Sequence, residues 1–247
     1  MQIVVITGGS RGLGAAAARA CARRGMGVVL TYKANPESAA QVVAEIAEHG
    51  GEALALPLDV SDVSSFGEFR EAVRAAVREK WDREGIDGLV NNAGYGVYTP
   101  IESVSEAEFD ALLSVHLKGP FFLTQTLLPL IAERGAVVNM TSATSRVATP
   151  GVAPYASFKG GLDVLTRYMA KEFGDRGIRA NAIAPGAIRT ELGGGLTPEF
   201  EAALAGETAL ARVGEPDEVG SVVATLLSED GRWINAQTIE VAGGYRI

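Results

Sequence analysis

The sequence predicts an α/β protein: a single domain built on a doubly wound parallel sheet of about seven strands flanked by helices. Three observations predict it. Short β-branched runs alternate with longer amphipathic runs from end to end, which is the signature of repeated βαβ units with right-handed crossovers. Thirty glycines and several alanine-rich helical runs suit helices packed closely on a sheet. The 247 residues carry no repeat, low-complexity tract or Pro/Ser-rich linker, and a chain of that length can bury a core of its own.

The elements follow in order. Ile3–Ile6 reads as the first strand, and Leu13–Arg24 as a helix closed by Gly25. Val28–Tyr32 is a second strand, Pro36–Glu48 a helix that starts on a proline, Ala53–Leu58 a third strand and Val63–Lys80 a helix. Gly88–Asn91 is a strand, Glu106–Ala132 one long helix, Ala136–Met140 a strand, Ala153–Phe173 a helix and Arg179–Ile183 a strand. An irregular stretch runs to about Arg212, followed by a helix (Pro216–Leu227) and a last strand (Thr238–Val241). The irregular stretch includes Gly193, Gly194 and Gly195 in a row, so the segment 191–212 is the expected substrate lid.

Composition excludes several classes. A single cysteine (Cys21) and two histidines (His49, His116) rule out a disulfide framework and a multi-Cys/His zinc site, and no metal is expected. A formal charge of −8 argues against a nucleic-acid binder, which needs a positive stripe. The longest mostly apolar stretch, Pro120 to Ala132, is too short to span a bilayer, and no basic region and cleavage site precede the first apolar run. A cytoplasmic protein with no membrane partner is the expectation.

Thr7-Gly8-Gly9-Ser10-Arg11-Gly12-Leu13-Gly14 lies directly between the first strand and the first helix. Glycines there let the backbone turn tightly and approach a pyrophosphate, and a helix N-terminus offers free N–H groups with a partial positive charge. A dinucleotide is therefore expected on Gly8, Ser10, Arg11, Gly12, Leu13 and Gly14, in the manner of a Rossmann fold. The second strand ends Leu30-Thr31-Tyr32-Lys33, with no acid before Glu37. An acid at that place reads a ribose 2′-hydroxyl and a base accommodates a 2′-phosphate. Lys33 and Arg11 therefore favour NADP(H), with NAD(H) left open, and Tyr32 is placed to stack on adenine. Asp59-Val60 ends the third strand, where Asp59 either meets the adenine or caps the segment that follows.

Tyr155-Ala156-Ser157-Phe158-Lys159 opens a helical stretch, and residues four apart share a helix face. A cation beside a phenol favours its ionised form and draws its pKa below about 10. Tyr155 could then exchange a proton with a carbonyl or alcohol oxygen. Ser142, just past the strand Ala136–Met140, stands at the carboxyl edge of the sheet and could donate to the same oxygen.

Thr7-Gly8-x-x-x-Gly12-x-Gly14, Asn91-Asn92-Ala93-Gly94, Ser142, Tyr155-x-x-x-Lys159 and Pro185-Gly186-Ala187-Ile188-Arg189-Thr190 occur in this order, and with them the whole chain resembles a short-chain dehydrogenase/reductase of standard length. The resemblance implies that Tyr155 is the acid/base, that Ser142 polarises the substrate carbonyl, and that Lys159 binds the nicotinamide ribose and lowers the phenol pKa. It implies that Asn91, Ala93 and Gly94 line the cofactor, that Asp59 meets the adenine beside Val60, and that Pro185, Gly186, Ile188 and Thr190 hold the nicotinamide end.

Relatives often carry asparagine where this chain has His116 in Val115-His116-Leu117-Lys118-Gly119. There it joins a proton relay through its main-chain carbonyl. The imidazole either titrates near neutrality and joins that relay or packs in the helix without a role. A second departure is Val241-Ala242-Gly243-Gly244, where relatives often have aspartate before the glycines; no mechanism attaches to it.

The resemblance also implies a small carbonyl or alcohol substrate, with 3-oxoacyl thioesters the leading named class. Leu192, Leu196, Phe200 and Leu204 of the lid suit an apolar or mixed substrate. Arg176 resembles an arginine that some relatives present to an acidic acyl carrier, although Glu133-Arg134 stands at the second such position and the net charge opposes it. A sensor or scaffold that binds the dinucleotide without catalysis, and an NAD(H)-dependent sugar or small-alcohol dehydrogenase, are the alternatives. A homotetramer is expected, built through the long helices on either side of the Ser142 strand, with a dimer as the alternative.

Overall fold

A computed structural model describes residues 1–191 and 194–247. Seven parallel strands form one sheet: β1 (Ile3–Ile6), β2 (Gly27–Tyr32), β3 (Glu52–Pro57), β4 (Ile86–Asn91), β5 (Ile131–Met140), β6 (Arg179–Pro185) and β7 (Thr238–Val241). Their order is β3-β2-β1-β4-β5-β6-β7, so the chain winds outward from β1 to β3 and then crosses back to β4. Between β1 and β4 the direction of winding reverses, and the loops leaving the two strands part to open a crevice at the carboxyl edge.

The strands are covered on both faces because both faces are apolar. Val4 and Ile6 point into one core, Ile3 and Val5 into the other. The first core is closed by α1 (Gly12–Arg23), α2 (Pro36–Glu48) and α8 (Pro216–Leu227), through Ala15, Ala18, Val42, Ile46, Val219 and Val223. The second is closed by α3 (Phe66–Trp81), α5 (Gly119–Leu127) and α6 (Ala153–Glu172), through Phe66, Phe69, Val73, Leu123, Leu127 and Met169. Each large apolar side chain so buried contributes roughly 1.5–3 kcal/mol. Among the described residues no helix is long and apolar enough to cross a membrane, and no group of acidic, histidine or cysteine side chains is placed to hold a metal.

Two expectations need correction. The run predicted as one helix over Glu106–Ala132 is α4 (Glu106–Leu113), a π-type turn (Ser114–Lys118), α5 and a short 3₁₀ turn (Leu128–Leu130). Pro129 has no N–H to continue the α-helical hydrogen bonding, and β5 has begun by Ile131, with an irregular step in its register against β4. The irregular stretch holds a helix, α7 (Pro198–Gly206). Its start was readable: Thr197 caps the Phe200 N–H at 3.2 Å and Pro198 stands at the first helical turn. Gly193 of the glycine run and Leu192 of the lid lie outside the described residues.

Candidate active site

The glycine turn leaves β1 at Thr7 and enters α1 with positive φ at Gly8 and Gly12. Its path requires Gly14: a Cβ there would lie 2.2 Å from the Gly8 carbonyl oxygen and 2.5 Å from Asn92 Nδ2. Asn92, which the motif reading passed over, pins the turn. Its Nδ2 donates to the Thr7 carbonyl at 2.8 Å, and its backbone N–H donates to Thr7 Oγ1 at 2.9 Å. Gly14→Ala is expected to cost about 1–3 kcal/mol of stability, the range for forced overpacking, and to weaken NADPH binding. Thermal melts and an NADPH titration check both effects.

The N-terminus of α1 has no side-chain cap and no acidic residue in its first turn. Bare N–H groups, an open backbone and nearby cations fit a dinucleotide pyrophosphate. Ser10 is half-buried in the turn, and Leu13 packs on the first core. Both cations named for a 2′-phosphate stand in ion pairs. Arg11 meets Glu191 at 3.2 Å and Lys33 meets Asp59 at 2.7 Å, all but Asp59 largely exposed. Exposed pairs of this kind contribute little and exchange partners readily. Asp59 also accepts from the backbone N–H and hydroxyl of Ser61 at 2.9 and 2.6 Å. Burial alone would raise its pKa, but the Lys33 and Ser61 hydrogen bonds together hold it below the usual value. Val60 beside it is buried, and Tyr32 packs on the first core.

Asn91 ends β4, but its side chain turns into the protein, away from the cofactor edge. Its Nδ2 donates to Asn139 Oδ1 at 2.8 Å and Thr124 Oγ1 at 3.0 Å, and Asn139 donates on to Thr166 at 2.9 Å. The side chain ties β4 to β5 and α5. Ala93 and Gly94 remain at the carboxyl edge, where Ala93 N–H donates to Thr7 Oγ1 at 3.0 Å. On the other side of the crevice, Gly186 N–H meets the Val241 carbonyl at 3.2 Å, Ile188 pairs with Gly214, and Arg189 N–H meets the Gly214 carbonyl at 2.8 Å. Pro185 is buried, and Thr190 lies at the end of this segment.

Ser142, Tyr155 and Lys159 converge at the end of β5. Thr144 directs both its N–H (3.2 Å) and its hydroxyl (2.9 Å) at Ser142 Oγ. Because Oγ accepts those bonds, the Ser142 proton is left to point elsewhere. Lys159 is buried, and its Nζ donates to the Met140 carbonyl at 2.6 Å. Burial pulls this ammonium down to about 8, against a smaller pull from Asp163.

The expectation that Lys159 draws the phenol toward phenolate is not met in this cleft. Burial pushes Tyr155 up to about 12, with the Ser142 hydroxyl pulling the other way. Nζ stands 5.5 Å from the Tyr155 ring centre and is engaged with Met140. Tyr98, at the mouth of the cleft, adds to the upward push on Tyr155 and also acts on Tyr245.

Of the two readings open for His116, the structure supports the packed ring over the titrating one. Burial, reinforced by the charge of Lys159, holds its pKa down to about 3, so the imidazole does not titrate near neutrality. In the unfolded chain it protonates near 6.5. The unfolded state therefore binds the proton first, and the stability present above about pH 6.5 is lost as pH falls toward 3. The cost is about 1.4 kcal/mol per pH unit over that range. His116→Gln removes this term. Its denaturant midpoint is expected to fall less than the wild type's between pH 7 and 5, and equal falls would assign the acid limit to carboxylates alone.

Arg176 is occupied. Its guanidinium bonds Glu133 at 2.8 Å, the Leu128 carbonyl at 3.0 Å and the Ile131 carbonyl, fastening the turn that leads into β5. Leu204 of α7 packs with Ala143, Val147 and Tyr245, while Phe200 stays largely exposed.

Residues 8–246 match the family model described as enoyl-(acyl carrier protein) reductase. The chain is 34% identical over 243 residues to the 3-oxoacyl-[acyl-carrier-protein] reductase FabG of Staphylococcus aureus, covering 97% of this chain and 96% of the relative. It superposes with a TM-score of 0.95 and 31% identity on the angucycline C-6 ketoreductase LanV with bound NADP, over 99% of this chain and 95% of that one. The promiscuous reductase LugOII, which catalyses keto-reduction at C1 during lugdunomycin biosynthesis, gives a TM-score of 0.95 at 32% identity, over 100% and 98% of the two chains.

Proposed function

The chain belongs to the short-chain dehydrogenase/reductase family and is an oxidoreductase of carbonyl and alcohol groups, and from that premise we propose that it reduces a ketone to a secondary alcohol with NADPH. One arrangement carries this reading: the Tyr155 phenol and a Ser142 hydroxyl whose proton Thr144 leaves free stand together at the end of β5, with Lys159 beside them. Ser142 Oγ–H and Tyr155 Oη–H both donate to the substrate oxygen, and Tyr155 gives up its proton as that oxygen becomes an alcohol. When bound, the nicotinamide supplies the hydride. Lys159, anchored on Met140, holds a positive charge beneath the phenol and keeps two N–H groups for the ribose. Gly8, Gly12 and the first turn of α1 hold the pyrophosphate, Arg11 and Lys33 the 2′-phosphate, and the segment from Pro185 to Thr190 the nicotinamide end. The NADP bound by the angucycline ketoreductase supports that cofactor.

The substrate we favour is a free ketone with an apolar body, because Arg176 is committed within the fold and the segment expected to cover the substrate carries Leu204 and the largely exposed Phe200. A 3-oxoacyl thioester is the second reading, favoured by the likeness to the staphylococcal reductase. NADPH consumption tests both, with bicyclic aromatic ketones beside a 3-oxoacyl thioester offered free and on a carrier protein. Faster turnover of the carrier-bound thioester would replace the first reading with the second. Binding of NADPH without turnover of any carbonyl would favour the sensor alternative.

We also propose a homotetramer, with a dimer as the alternative. Phe109, Phe121, Val164 and Tyr168 are 41–62% exposed on α4, α5 and α6. Light scattering at micromolar concentration is expected to give four chains; a monomer would refute the assembly.

A further inference from the structure

We infer that His116 is a positioning residue, whose ring N–H ties the Tyr95 carbonyl at the mouth of the cleft to the wall that holds the Tyr155 ring. The inference rests on the reading of Tyr155 as proton donor.

His116 lies in the π-type turn, where the Gly119 N–H reaches back five residues to the Ser114 carbonyl. Such turns insert one residue into a helix and recur at functional sites. The ring is 1% exposed, and its Nε2 lies 2.9 Å from the Tyr95 carbonyl oxygen. A carbonyl only accepts, so Nε2 carries the proton and the neutral ring presents Nδ1 as a bare acceptor. That Nδ1 is buried without a hydrogen-bond partner among the described residues. An unpaired buried acceptor costs stability, and an apolar side chain would fill the same space without that cost. What the imidazole adds over an apolar residue is the bond to Tyr95.

The surroundings make that bond matter to Tyr155. The His116 ring meets the Tyr155 ring edge to face, with centres 4.9 Å apart and planes at 82°, a favoured aromatic arrangement. The Tyr95 ring lies 5.6 Å away at 45°. A Cβ on Gly94 would stand 2.8 Å from His116 Cε1, so the ring occupies space that a glycine leaves free. Thus one side chain joins the segment after Gly94, the π-type turn and the phenol-bearing helix. Loosening the Tyr95 bond frees the ring to tilt, and with it the surface that keeps the phenol facing Ser142.

Two variants separate the tether from mere packing. His116→Phe keeps a flat ring and loses the donor; His116→Gln places an amide nitrogen near the position of Nε2. His116→Phe is expected to lower kcat about tenfold, the worth of one hydrogen bond, with NADPH affinity within about twofold of wild type. His116→Gln is expected to recover most of the loss. Wild-type kcat in His116→Phe, or equal losses in both variants, would overturn the tether. Tyr155→Phe is measured alongside. Retained turnover there would sink the proton-donor reading, whereas its loss together with a wild-type His116→Phe would sink the tether alone.

Imidazole ¹⁵N spectra of the unaltered protein give a readout that needs no variant to fold. His49 bonds the Glu45 carbonyl through Nδ1 at 2.7 Å, so the two histidines should show opposite neutral tautomers. A proton on Nδ1 of His116 would overturn the proposal.

Discussion

Tyr155→Phe is expected to lower kcat for ketone reduction about a thousandfold, within the range supplied by a positioned general acid, while NADPH binding and the melting temperature change little. The substitution removes one hydroxyl from a partly buried ring and leaves its contact with His116 in place. With the phenol pushed up to about 12, the group stays protonated throughout the neutral range. The loss should therefore be flat between pH 6 and 9. Single-turnover reduction measured beside an NADPH titration separates a lost proton donor from lost binding. Residual turnover within about tenfold of wild type would require another donor.

The second large effect is expected at the 2′-phosphate. A hydrogen bond to a charged group is worth about 1.5–3 kcal/mol. In Arg11→Ala/Lys33→Ala the lower end applies, because Glu191 and Asp59 compete for these cations. Together the two changes should reduce kcat/KM for NADPH about a hundredfold and leave the value for NADH nearly unchanged. Raising the ionic strength should narrow the difference between wild type and variant with NADPH, since both cations are exposed. Equal losses with NADPH and NADH would show that these residues shape the site without reading the phosphate.

Where local chemistry marks an element, the chain could be read directly. Ile3–Ile6, Pro36–Glu48, Pro216–Leu227 and Thr238–Val241 have the expected bounds, each set by an apolar run or by a proline at a helix start. Between Glu106 and Ala132 the apolar residues run almost without interruption, so periodicity did not reveal the π-type turn or the early start of β5. At Thr197-Pro198 the signal was present and the glycines before it outweighed it. The motifs located the glycine turn, Ser142, Tyr155 and Lys159, yet they did not separate Asn91, whose side chain holds the sheet together, from Asn92, which pins the turn. Asn91 is the last residue of β4 and Asn92 the first beyond it, and only the packed sheet shows which of the two side chains turns inward.

The sequence by itself determined the order of βαβ units, the place of the glycine turn and the four-residue spacing of Tyr155 and Lys159, because each depends on residues close together in the chain. Tertiary structure alone decided which charges are paired and which protons are held. Arg11 finds Glu191 180 positions away, and Arg176 closes on Glu133, Leu128 and Ile131. Tyr155 keeps its proton, Lys159 is drawn down to about 8 and His116 stays neutral because distant segments pack around them and exclude water. Desolvation is a property of that enclosure, and no stretch of sequence contains it.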